Sequence, residues 1–73
     1  MNTSGVILFY TTAAVLRAEK LLVKKGITIK LIPPPREYSS DCGIAIQFNW
    51  ADHAKINKIL SDATIETDSI HHL

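Results

Sequence analysis

Hydrophobic and polar residues alternate along this chain in blocks that predict strands and helices in turn. The first block, residues 6–10, is apolar throughout and rich in β-branched and aromatic residues, with Gly5 before it and Thr11-Thr12 after it. Such composition favours a strand, and a threonine just beyond a strand is a favoured helix N-cap. The sequence therefore predicts a strand at 6–10 followed directly by a helix.

The predicted first helix runs from about residue 12 to 25. Apolar residues recur there at three- and four-residue spacing, and most of the basic residues fall between them. This spacing is typical of an amphipathic helix with one face in the core. Gly26 follows the last turn, where a left-handed residue usually ends a helix.

Two further strands are predicted on either side of a proline-rich loop. Residues 27–31 and 44–49 alternate apolar and polar positions, which is the pattern of strands with one buried face. Between them, Pro33-Pro34-Pro35 cannot donate hydrogen bonds to a sheet and favour an extended conformation. Residues 36–41 are therefore expected to form a loop, longer than an ordinary hairpin connection.

The last third of the chain predicts a second helix over about 50–62. Asn49 is a suitable N-cap, and Ile56, Ile59 and Leu60 form an apolar stripe. Residues 64–68 alternate but contain only one strongly apolar residue, so an edge strand and a frayed tail both stay open. His71 and His72 are interpreted as a loose, solvated terminus.

This order, βαββα(β), predicts an α+β fold of the ferredoxin-like type, with an antiparallel sheet and both helices on one face. The first and third strands are expected at the centre of the sheet. Because the first strand is apolar at every position, its face away from the helices should also be covered. We expect a homodimer formed through these sheet faces as one way to cover it.

Composition narrows the class of protein. The chain has 73 residues, enough for a single small α/β domain over 1–73, and its formal net charge is +1. This charge offers no broad basic surface for nucleic acid or an anionic membrane, so neither partner is expected. The longest apolar run is too short to span a membrane, and a cytoplasmic location is expected.

Cys42 is the only cysteine, and two interpretations of it remain open. Free cysteines are commonly small buried hydrophobes with a structural role. Here, however, the neighbours are polar and Gly43 leaves the backbone accessible, as at a reactive thiol. Arg36 is the one cation of the loop and would favour the thiolate, whereas a nearby Asp41 carboxylate would oppose it.

Other chemistry is poorly supported by the sequence. A cysteine nucleophile needs a base, and His53, His71 and His72 stand at no recognisable spacing from Cys42. No metal-binding spacing and no glycine-rich phosphate loop occur. We therefore expect no enzyme activity, no metal and no cofactor, and the alternative to a reactive thiol is a non-catalytic protein-binding or regulatory module.

The stretch from Phe9 through Phe48 resembles a known family. It contains the string P-R-x-x-S-S-x-C-G, formed by Pro35-Arg36, Ser39-Ser40 and Cys42-Gly43, and also Gly26-Ile27 and Ile32-Pro33. In order and spacing these residues are similar to the small DUF3343 family of selenium/sulfur carrier-like proteins. Thr11 stands where serine is common in that family, and the tail after the second helix shows no resemblance.

The resemblance implies a cytoplasmic bacterial protein that carries sulfur or selenium as a persulfide or selenopersulfide. By this resemblance Cys42 would accept the chalcogen, Gly43 would expose it, and Arg36, Ser39 and Ser40 would hold the anionic group. The implied partners are a cysteine desulfurase or selenium-donor protein and an acceptor enzyme. A carrier also benefits from having one cysteine, since a second nearby thiol would discharge a persulfide as a disulfide.

Overall fold

The secondary structure alternates as the sequence pattern predicts. A computed structural model of the chain describes residues 3–38 and 43–73. Within them the elements follow in the order β1 (Ser4–Leu8), α1 (Thr12–Lys24), β2 (Ile29–Ile32), β3 (Ala45–Asn49), a 3-10 turn (Trp50–Asp52), α2 (His53–Asp62) and β4 (Ser69–His72).

The strands form one antiparallel sheet in the order β2-β3-β1-β4. The two central strands, β1 and β3, pair so that Val6 lies opposite Gln47 and Ile7 opposite Ile46. This order and the antiparallel pairing confirm the predicted α+β fold and its ferredoxin-like arrangement. The predicted central places of the first and third strands are also confirmed.

One face of the sheet packs against both helices and holds the main core. Alternate residues of β1 and β3 point to this face and contact the buried stripes of α1 and α2, because successive side chains of a strand lie on opposite faces. Each such side chain contributes about 1.5–3 kcal/mol by its burial. The fully buried members are Ile7, Phe9, Val15, Ala18, Leu22, Ile46 and Ile56.

Local capping explains the limits of α1. The Thr11 side chain accepts a hydrogen bond from the Ala14 N–H at 3.1 Å, which satisfies a free donor of the first turn. Past the last turn, Gly26 has φ +79°, and the Ile27 N–H donates to the Leu22 carbonyl at 3.0 Å. This is a Schellman ending, and it confirms Gly26 as the residue that stops the helix.

The second helix begins differently from the prediction. Asn49 acts as a cap and accepts from the Ala51 N–H at 3.2 Å, but residues 50–52 form a 3-10 turn and α2 starts at His53. Tighter 3-10 turns are frequent at helix N-termini, and they share the sequence signals of the helix that follows. The predicted span therefore contains both elements.

The chain end corrects two expectations from the sequence. Residues 64–68 form neither the edge strand nor the frayed tail that the sequence left open, since they contain no strand and Ile65 is buried. The edge strand β4 instead comprises Ser69–His72, so His71 and His72 belong to a strand and not to a loose terminus. Within β4, His71 lies opposite Val6 of β1. The reason is that main-chain hydrogen bonds to a buried central strand hold an edge strand without many apolar side chains.

The face of the sheet away from the helices, here called the open face, is covered as expected. Val6, Leu8 and Ala45 point to this face and are at most 2% exposed. Ile32 and Tyr38 of the same chain pack against them. The apolar character of β1 that suggested a homodimer is therefore accounted for within one chain, and the homodimer stays a prediction.

Candidate functional site

The predicted thiol site lies on the connection between β2 and β3. Cys42, Ser39 and Ser40 fall outside the described residues, whereas Arg36 and Gly43 are described on either side of them. The structure therefore describes the two flanks of residues 39–42, which are here called the thiol segment. These flanks are the segment 33–38, here called the leading arm, and Gly43 with the start of β3.

The leading arm turns sharply at its tip. The Tyr38 N–H donates to the Pro35 carbonyl at 3.0 Å, which closes a four-residue β-turn with Arg36 and Glu37 at its centre. Both central residues are exposed, and neither makes an ion pair or hydrogen bond with a described residue. The turn therefore presents the Arg36 guanidinium to solvent and directs Tyr38 back towards the sheet.

Tyr38 anchors the leading arm on the open face. Its ring stacks on the ring of His71 in β4, with centroids 3.8 Å apart and an interplanar angle of 7°. His71 is in turn held by the Ser69 side chain, whose hydroxyl lies 2.9 Å from the His71 Nε2 atom. Since β2 and β4 are opposite edges of the sheet, the arm crosses the whole open face.

The leading arm is just long enough to cross from one edge of the sheet to the other. Four strands in a row place the two edges about 14 Å apart, at about 4.8 Å for each strand spacing. The three steps from Ile32 to Pro35 span at most about 10 Å, and the turn from Pro35 to Tyr38 adds less than about 7 Å. The total of about 17 Å is little more than the width of the sheet, so the arm has little slack.

The other flank begins with a glycine in a left-handed backbone conformation. Gly43 has φ +71°, a left-handed conformation that glycine adopts without steric cost, and it is exposed. Apart from its chain neighbours, no described residue has an atom within 4 Å of the position where a Cβ atom would stand. A shallow apolar depression of about 270 Å³, lined by Leu31, Ile32, Pro33, Gly43 and Ile44, opens beside it.

Two of the three histidines lie at the opposite end of β3. Trp50 follows the last residue of β3, and its ring stacks on His53 at 4.2 Å and lies 4.6 Å from the ring of His72. Ala45 and Trp50 are five residues apart along an extended strand, roughly 16 Å. The structure therefore does not bring His53 or His72 to the end of the sheet where Gly43 lies.

Sequence reasoning missed the contacts that join Tyr38, which precedes the segment containing Cys42, to His71 and through it to Ser69. The spacing Ser-x-His places the last two on one face of a strand, which was a usable signal. It was overlooked because β4 contains a single aliphatic residue, Ile70. No residue of the leading arm indicated that its tyrosine would reach the far edge of the sheet.

The part of the chain that the structure describes contains neither a metal-ion cluster nor a membrane-spanning helix. Over 3–38 and 43–73, no group of three or more His, Cys, Asp or Glu side chains is placed to hold a metal ion. In the same part of the chain, neither helix is long and apolar enough to cross a bilayer.

Similarity to known proteins identifies the family to which the chain belongs. Neither the curated proteins nor the solved structures gave a match to this chain. One family model does match, over residues 4–72, and its description is "Putative Se/S carrier protein-like". The match extends from β1 to the end of β4 and includes the whole connection that contains Cys42. The chain therefore belongs to the Se/S carrier protein-like family.

Proposed function

We propose that this chain is a carrier, and not itself an enzyme, that holds sulfur or selenium as a persulfide or selenopersulfide on Cys42. The observation that carries the proposal is the family match over residues 4–72, which includes the only cysteine of the chain. The residues on either side of the segment that contains Cys42 support the proposal. A stacked tyrosine on one side and an exposed, left-handed Gly43 on the other frame the segment that contains Cys42.

The proposed loading step conserves atoms and electrons. The Cys42 thiolate attacks the terminal sulfur of a persulfide on a donor protein, a new S–S bond forms, and the donor's S–S bond breaks with its electron pair on the donor thiolate. In unloading, a nucleophile of the acceptor attacks the terminal atom on Cys42, and the bond between that atom and the Cys42 sulfur breaks with its electron pair on the Cys42 thiolate. Selenium would travel in the same way, as the terminal atom of an S–Se bond.

Three neighbours have a proposed role in holding the charge. A terminal sulfur or selenium is anionic at neutral pH, and charge-assisted hydrogen bonds from a guanidinium suit such a group. Arg36 is exposed and makes no ion pair or hydrogen bond with a described residue, which supports this role. The hydroxyls of Ser39 and Ser40 would supply further donors.

The proposed partners are a cysteine desulfurase or a selenium-donor protein and an acceptor enzyme, in the bacterial cytoplasm. A reducing compartment suits a chain with one free thiol, since its cysteine is not needed for a structural disulfide. Because the chain has a single cysteine, no second thiol of the same chain can discharge the bound chalcogen as a disulfide.

The deciding experiment measures intact mass after incubation with a cysteine desulfurase and cysteine. Wild-type protein should gain the mass of one sulfur atom, the gain should disappear on reduction with dithiothreitol, and Cys42→Ser should gain nothing. No gain in wild type, with Cys42 shown to react with iodoacetamide, would refute the carrier function. A thiol that reacts only in the unfolded protein would favour the rival, a protein-binding module with a structural cysteine.

The same assay tests Arg36 with a matched control. Arg36→Gln should slow loading about tenfold, because it removes a charge-assisted interaction with the anionic product. Arg17→Gln removes the same charge from an exposed position of α1 and should leave the rate unchanged. Equal rates for both variants would show that Arg36 does not hold the persulfide.

A further inference from the structure

We propose that Tyr38 and His71 are positioning residues for the thiol segment, and that their stacked pair fixes where this segment begins above the sheet. This inference rests on the proposed function, because it concerns transfer between Cys42 and a donor protein. Neither residue is placed in contact with the chalcogen. Both act through the backbone that leads to Cys42.

The pair joins two parts of the chain that are distant in sequence. Tyr38 is the last described residue before Cys42, and His71 lies in the edge strand β4. Their rings are 3.8 Å apart and nearly parallel, and the Ser69 hydroxyl fixes the His71 ring at 2.9 Å. The starting point of the thiol segment is therefore tied to a strand on the far side of the sheet.

The position of the pair separates it from the main core. Both rings are only partly buried and lie on the open face, whereas the helix face holds the large core cluster. Tyr38 also packs against the smaller buried cluster of Val6, Leu8 and Ala45, so the loss of its ring should lower stability as well. In addition, the pair joins the residue that precedes residues 39–42 to an edge strand, which is the arrangement expected of an anchor for the segment that contains Cys42.

Pre-organisation is the physical reason such a pair would affect transfer. Transfer from a protein donor requires the thiol to meet a persulfide in a defined geometry, and a segment anchored at both ends loses less freedom in that encounter. A small reagent reaches the thiol from many directions and does not need the anchored arrangement. Loss of the stack should therefore slow protein-to-protein transfer more than alkylation.

The test compares these two rates in matched variants. In Tyr38→Ala and His71→Ala, the second-order rate constant for sulfur transfer from a cysteine desulfurase should fall about threefold to tenfold, the effect of losing one aromatic pair. The rate of Cys42 alkylation by iodoacetamide should change less than about twofold, since the thiol itself is unaltered. Tyr38→Phe keeps the ring and should restore transfer.

His53→Ala is the control for a general loss of aromatic packing. It removes a comparable stack, at 4.2 Å on Trp50, at the other end of the sheet. It should lower the thermal midpoint and leave the transfer rate at the wild-type value.

The possible outcomes are distinct. Transfer at the wild-type rate in Tyr38→Ala and His71→Ala would overturn the positioning role, and so would equal falls in transfer and alkylation. A fall in His53→Ala as large as theirs would attribute the effect to stability and would overturn it as well. A wild-type protein that takes up no sulfur would instead refute the proposed function, so the two failures cannot be confused.

Discussion

Replacing Gly5 with alanine should destabilise the fold because the added methyl group would collide with two aromatic rings. Gly5 lies in β1 opposite Phe48, on the helix face of the sheet. A Cβ atom built there would stand 2.5 Å from the Phe48 Cζ atom and 2.6 Å from the Trp50 Cε3 atom. Ordinary carbon contacts are about 3.5–4.0 Å, so the two rings would have to move by about 1 Å.

The two rings differ in how freely they can move. Trp50 is partly exposed and can tilt towards solvent, but Phe48 is 3% exposed and is packed within the core cluster. Overpacking of this kind costs about 1–3 kcal/mol. Replacing a strand glycine returns about 0.5–1 kcal/mol through lower chain entropy in the unfolded state. Because Phe48 is enclosed, the upper part of the overpacking range applies, and about 2–3 kcal/mol less about 1 kcal/mol leaves a net loss of about 1–2 kcal/mol.

Thermal unfolding followed by circular dichroism and by the fluorescence of Trp50 measures this loss. For a domain of this size, each 1 kcal/mol lowers Tm by about 4–8 °C, so Gly5→Ala should lower Tm by roughly 4–16 °C. In a Phe48→Leu background the closest ring atom is gone, and the same substitution should cost less than half as much. An unchanged Tm, or an equal cost in both backgrounds, would refute the reasoning.

Three further predictions concern stability, each measured by chemical unfolding. Thr11→Ala should cost about 1 kcal/mol because it removes the cap to the Ala14 N–H, and Thr11→Ser should restore it; equal losses would contradict the cap. Leu22→Ala should cost about 2–5 kcal/mol because Leu22 is fully buried. On the same helix, Leu16→Ala is the control at an exposed position and should stay within about 0.5 kcal/mol. Thr64→Gly should raise the free energy of unfolding by about 1 kcal/mol, since a β-branched residue stands there at φ 57°. Thr64→Ala should raise it little. A lower free energy of unfolding in Thr64→Gly would show that this backbone conformation does not limit stability.

Most of the helical and central-strand structure could be predicted from residues close together in sequence. The limits of α1 depend on Thr11 and Gly26, and both act within a few residues of themselves, so their effect is visible without the fold. β4 could not be placed in this way. Its only aliphatic residue is Ile70, and its position depends on hydrogen bonds to β1 more than sixty residues earlier.

The candidate site likewise has one part that the sequence identifies and another part that only the structure shows. The string from Pro35 to Gly43 marks the thiol segment in the sequence, and the family match includes all of it. The roles of Cys42, Arg36, Ser39 and Ser40 stay predictions. The anchoring of Tyr38 on His71 was unpredictable, because stacking between distant residues leaves no local periodicity.

The sequence by itself determined the α+β class, the order of the elements from β1 to α2, the family and the identity of the single thiol. Each of these depends on local periodicity, on local capping or on a short linear pattern. Only the tertiary structure decided that the open face is covered by Ile32 and Tyr38, and that the leading arm is tied to β4. The physical reason is that burial and stacking depend on which distant surfaces meet, and that is fixed only when the strands take their order in the sheet.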